Sequence, residues 1–138
     1  MARLGTTERG GCNRQALTEI DKAGRDLFRR WSEEAGCSVA IDPVGNMFAR
    51  KEGRKSHAAP VLIGSHLDTQ PTGGKFDGVY GVLAGLEVLR TLRDCDHLTE
   101  HPIVVANWTN EEGARFAPAM LGSGVCAGVY TLDYAYSR

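Results

Sequence analysis

The run from Ser65 to Gly81, S-H-L-D-T-Q-P-T-G-G-K-F-D-G-V-Y-G, is the stretch that most restricts what this chain can fold into. Val61, Leu62 and Ile63 lead into it as a short, branched apolar run, the pattern of a strand buried on both faces. Val79, Val82, Leu83, Leu86, Leu89 and Leu92 follow it at helical spacing, and that stripe ends near Arg93. A strand that passes through a Gly-rich loop into a helix puts the loop at the strand's C-terminal end. Open α/β sheets build their sites there.

The flanking sequence supplies the rest of such a fold. Thr18, with Asp21 three residues on, resembles a capping box, and Ile20, Ala23, Leu27, Trp31 and Ala35 predict the buried face of a helix that stops at Gly36. Cys37–Ile41 and Asn46–Arg50 are β-prone runs separated by the turn Asp42-Pro43-Val44-Gly45. Pro60–Ser65 is then a buried strand, and Ile103–Ala106 is a second. Small residues dominate from Met120 to Gly128 and permit close backbone approach. The order helix, short strands, strand, helix, strand predicts an α/β fold with a mixed sheet flanked by helices.

Composition excludes several classes. At 138 residues, 42% apolar and 24% charged, the chain makes one domain with a real core. A net charge of −1 with both signs interspersed favours neither nucleic acid nor an anionic membrane as partner. The longest uncharged run, around Val79–Leu86, is too short to span a bilayer, and Met1–Gly11 lacks the apolar core of a signal peptide, so a cytoplasmic location is expected. Cys12, Cys37, Cys95 and Cys126 stand singly and read as free thiols. His57, His97 and His101 fall in polar loops and read as solvent-facing.

The chemistry concentrates past the two buried strands. His66 and Asp68 follow the first, Glu111 and Glu112 the second, and Asp77 lies on the Gly-rich loop. An H-x-D or an acidic pair alone is commonplace on a surface, but together past adjacent strands they would meet at one edge. A hydrolytic metal centre needs nitrogen and oxygen ligands and a base for the water's proton. His66 offers an imidazole, and Asp68 could accept its other ring N–H. The two oxygens of Asp77 could bridge two cations about 3.5–4 Å apart. Either glutamate could bind metal and leave the other as base.

Taken together, G-S-H-L-D-T-Q-P-T-G-G-K-F-D-G-V-Y-G and N-W-T-N-E-E-G-A-R-F resemble the hydantoinase/carbamoylase-type amidases. This group includes N-carbamoyl-L-amino-acid hydrolases, allantoate amidohydrolases and β-ureidopropionases within the M20 metallopeptidase-like superfamily. G-G-x-N-R-x-A-L-T at Gly10–Thr18, D-K-A-G-R-D at Asp21–Asp26, D-P-V-G-N at Asp42–Asn46 and M-L-G-S-G-V at Met120–Val125 extend the likeness over nearly the whole chain. The resemblance implies that His66 and Glu112 each bind one metal, that Asp77 bridges both, that Glu111 is the general base and that Asp68 orients His66. It implies two divalent ions, zinc first and manganese, cobalt or nickel as alternatives, acting on the C–N bond of a small N-carbamoyl or ureido substrate. Family members are longer, with a lid domain used for dimerisation and two further metal-binding histidines. Residues 1–138 are therefore expected to form the N-terminal part of a single di-metal catalytic domain from a homodimeric parent. The lid is expected to be absent, and the fragment alone to be incomplete, prone to aggregate and inactive. Allantoate hydrolysis and an M20-type peptidase activity remain alternatives of the same class. A non-catalytic binding module or pseudogene product is the alternative of another class.

Overall fold

The computed structural model describes residues 1–138. Its elements are helix α1 (Glu19–Glu34), strands β1 (Ser38–Ile41), β2 (Met47–Lys51) and β3 (Val61–His66), helix α2 (Val79–Asp94), strand β4 (Ile103–Trp108), and short helices α3 (Leu121–Cys126) and α4 (Leu132–Tyr136). The strands form one mixed sheet in the order β1-β2-β4-β3. β1 and β2 form the antiparallel hairpin expected around Asp42–Gly45, β4 runs antiparallel to β2, and β3 lies parallel to β4. The α/β expectation holds, with strand boundaries shifted by about one residue.

Both long helices pack on the same sheet face, where Phe28 of α1 and Val82, Leu86 and Leu89 of α2 meet Met47, Ala49 and Val105. Gly85 lets α2 come down onto the sheet: a Cβ there would lie 3.0 Å from both γ-carbons of Val105. On the other face Phe48 and Trp108 pack edge to face at 5.8 Å.

Two expectations about burial fail, for separate reasons. β3 is not buried on both faces. Its partner β4 takes the interior place beside β2, so β3 is an edge, with Val61 55% and Leu62 51% exposed. An apolar run reports what a strand can pack against, not its position across the sheet. Burial on β3 begins only at His66 and continues through Thr69. In α1 the buried stripe is Asp21, Gly24, Phe28 and Ser32, one position round from the predicted face, with Ala35 common to both. Ile20 is exposed instead. The polar members are buried because they are satisfied: Ser32 donates to the Phe28 carbonyl at 2.8 Å, and Asp21 accepts from the Leu17 N–H at 2.9 Å. Thr18 does cap the helix by accepting from Asp21 N–H, but the Asp21 carboxylate reaches back to Leu17 rather than to Thr18.

Candidate metal centre

β3 and β4 run in register, with Val61 opposite Ile103 and His66 opposite Trp108, so both end at one edge of the sheet. His66 closes β3. Beyond β4, Asn110 takes a left-handed φ of 53°, which turns the chain so that Glu111 and Glu112 lie back over His66. The Thr109 N–H is held by Asn46 Oδ1 at 2.9 Å, and Asn46 Nδ2 donates to Asp42 and to the Gly122 carbonyl. Asp77 hangs over the same edge on the Gly-rich loop. Ligand atoms of His66, Asp77 and Glu112 all lie within 4.8 Å of one another.

Gly78, at φ 65°, lies directly beneath the imidazole, and a Cβ there would overlap the His66 ring. That one position therefore needs glycine twice over, for its backbone and for its neighbour. His66 Nδ1 lies 2.9 Å from the Asp68 carbonyl oxygen. A carbonyl only accepts, so Nδ1 carries the hydrogen, and Nε2 is the ring nitrogen that faces the open side. Glu111 Oε2 stands 3.2 Å from that Nε2.

Asp68 meets His66 through its main chain. Its carboxylate is 3.7 Å from His66 Nδ1, beyond hydrogen-bond length, because the backbone carbonyl of the same residue has taken that ring N–H. The carboxylate instead accepts the backbone N–H groups of Glu111 and Glu112, both at 3.2 Å. One residue thus orients the imidazole through its main chain and the two glutamates through its side chain. Burial pushes the Asp68 carboxyl above its ordinary range, and the Glu112 and Glu111 N–H bonds oppose the shift. Burial also raises Glu111; the His66 ring opposes that, while Glu112, Asp68 and Asp77 add to it. A carboxyl raised in this way holds a proton more readily than an ordinary glutamate does.

The donor set fits a divalent cation of mixed nitrogen and oxygen preference. One imidazole and two carboxylates converge, and Glu112 Oε1 is buried with no hydrogen-bond partner. The second oxygen, Oε2, accepts from Gln70 Nε2 at 2.9 Å. Gln70 was not foreseen, since a glutamine in a polar loop carries no pattern of its own. The structure thus brings His66, Asp68, Asp77, Glu111 and Glu112 to one edge. His101 bonds the Ala59 carbonyl at 2.9 Å, and Cys95 and Cys126 are exposed free thiols. No helix is long and apolar enough to cross a membrane.

Comparison with known proteins agrees with this fold. The chain is 64% identical over all 138 residues to an N-carbamoyl-L-amino-acid amidohydrolase of Rhizobium meliloti, covering 33% of that protein. It is 34% identical over 122 residues to allantoate deiminase 1 of Glycine max, covering 87% of this chain and 25% of that one. The crystal structure of a hydantoinase/carbamoylase family amidase from Burkholderia multivorans superposes with a TM-score of 0.98 at 63% identity, covering 99% of this chain and 33% of that one. The chain spans a quarter to a third of the length of these relatives. Residues 62–137 match the model of peptidase family M20/M25/M40, and with them the chain belongs to that family.

Proposed function

We propose that residues 1–138 form the N-terminal part of one metal-dependent amidohydrolase catalytic domain, in a longer protein that cleaves the C–N bond of N-carbamoyl or ureido acids. The convergence of His66, Asp77 and Glu112 within 4.8 Å, with Glu111 against His66, carries this reading. The relatives narrow the substrate class: one is named for N-carbamoyl-L-amino acids, another for allantoate. His66, Asp77 and Glu112 would hold metal, with Asp77 shared between two ions, and the rest of the protein supplies the remaining donors. Zinc is the first choice, with manganese, cobalt or nickel as alternatives. The ions would supply Lewis acidity and make water acidic enough to deprotonate at neutral pH.

The chain's own residues do the proton work. Glu111 takes a proton from the attacking water as its oxygen bonds to the substrate carbonyl carbon. It returns that proton to the leaving nitrogen as the C–N bond breaks. Asp68 keeps the Glu111–Glu112 backbone in place while this happens. A cytoplasmic homodimer completes the reading.

The test uses the intact protein, stripped with chelator and reloaded with zinc or manganese, against N-carbamoyl-L-amino acids, allantoate and dipeptides. Metal-dependent turnover of the first group is expected, and Glu111→Gln should lose about 10²- to 10⁴-fold in kcat while retaining metal. Turnover that survives chelation, or Glu111→Gln that loses metal and not rate, overturns the assignment. Preferential turnover of allantoate moves the substrate within the class, and turnover of dipeptides alone makes it a peptidase.

A further inference from the structure

Arg14 is the largest side chain that is fully buried, at 1% exposure, and no step described above uses it. Burying a guanidinium is costly, and such a group ordinarily sits against a carboxylate. Here its partners are carbonyls: Nε donates to Leu67 O at 2.8 Å, and Nη1 to Leu4 O at 2.6 Å and Met1 O at 3.5 Å. Leu67 is the residue between His66 and Asp68. Its carbonyl belongs to the peptide leading into Asp68, and the next carbonyl, that of Asp68, holds His66 Nδ1. The Arg14 main chain grips the same segment, with its N–H on Thr69 Oγ1 at 2.7 Å and its carbonyl taking the Thr69 N–H at 2.9 Å. Two residues earlier, Cys12 N–H bonds to Gly73 O at 2.9 Å. The segment Cys12–Arg14 therefore fastens the loop at both ends, between His66 on one side and Asp77 on the other.

We infer that Arg14 is a positioning residue for the metal centre: its rigid planar fork sets the Leu67 peptide, and through it the Asp68 carbonyl that aims His66 at Asp77 and Glu112. A lysine in its place keeps the charge but not the fixed direction. The inference rests on the metal reading proposed above.

Zinc affinity of the intact protein, measured by competition with a chromophoric chelator, tests it in wild type, Arg14→Lys, Arg14→Gln and Thr69→Val. Leu89→Val, which loosens the core of α2 without touching the loop, shows what lost stability alone does to affinity. The Arg14 variants should lose about 10- to 100-fold in zinc affinity, as is typical when the partner of a ligand is removed, and far more than Leu89→Val at equal Tm. Their cobalt-loaded forms should show an altered visible absorption band. Thr69→Val should lose less, in the same direction, and it decides the matter if neither Arg14 variant folds. Variants that bind zinc no worse than Leu89→Val, with an unchanged cobalt band, overturn the inference alone. Wild-type protein that takes up none of zinc, manganese, cobalt and nickel overturns the metal reading together with it.

Discussion

The two chain segments that build the site leave neighbouring strands at the same edge, yet they are held by opposite means. The β4 exit comes from the interior strand and is fixed by neutral and acidic side chains reaching across the fold: Asn46 on Thr109, Asp68 on Glu111 and Glu112. The β3 exit comes from an exposed edge strand and is fixed by a buried cation and by main-chain bonds to residues 12–14. A central strand passes its order on to the loop beyond it. An edge strand does not, so order there has to come from a separate piece of chain.

Removing a support from the β4 exit should have the larger effect on stability. Asn46→Leu strips three hydrogen bonds and leaves the Thr109 N–H buried without its partner. About 3 kcal/mol or more of unfolding free energy should disappear in urea titration. A loss below about 1 kcal/mol would mean that β4 alone orders its exit, and the contrast would weaken.

The β3 exit is sensitive to shape. Gly78→Ala demands a left-handed conformation of alanine and pushes a methyl group into the His66 ring. About 1–3 kcal/mol should be lost, with zinc affinity falling alongside. A stable variant with unchanged zinc binding would show that His66 has room to move, and that the loop is less firmly set than the bonds from residues 12–14 imply.

The smallest effect belongs to Asp21, whose carboxyl feels Arg25, Asp68 and Arg14. Burial raises its carboxyl above the usual 3.8. A group raised in the folded state stabilises fully below its unfolded value and loses that contribution as pH rises through the folded value. Asp21→Asn, whose amide oxygen can still accept from Leu17, should therefore gain on wild type as pH climbs from 3.8 toward neutrality, by less than about 1 kcal/mol. Thermal melts across that range check the sign, and a variant that falls behind wild type as pH rises would make the Asp21 charge a net stabiliser.

Much of this organisation was legible in the chain itself. Helices α1 and α2 and the four strands follow from residue patterns while α3 and α4 do not, and His66, Glu111 and Glu112 stand where strand ends put them, with Asp77 on the loop after β3. The order of strands across the sheet was not legible, because Val61–Ile63 and Ile103–Val105 are equally apolar while only the second run is interior. The supports were also hidden. Arg14 reaches Leu67 across 53 residues and Asn46 reaches Gly122 across 76, and no local pattern marks a side chain for so distant a partner. Asp68 stands beside His66 as the spacing suggested, but spacing does not show which atoms meet: the carbonyl is the nearer acceptor, and the carboxylate is taken up 43 and 44 residues away.

The parallel pairing of β3 with β4 has a consequence for the order of events in folding. Closing so long a loop is among the slower steps available to a small domain, since its entropy is lost before the pairing returns anything. Until it closes, the imidazole and the glutamates belong to separate parts of an open chain. On the metal reading proposed above, an ion would be taken up late, once the sheet has registered correctly.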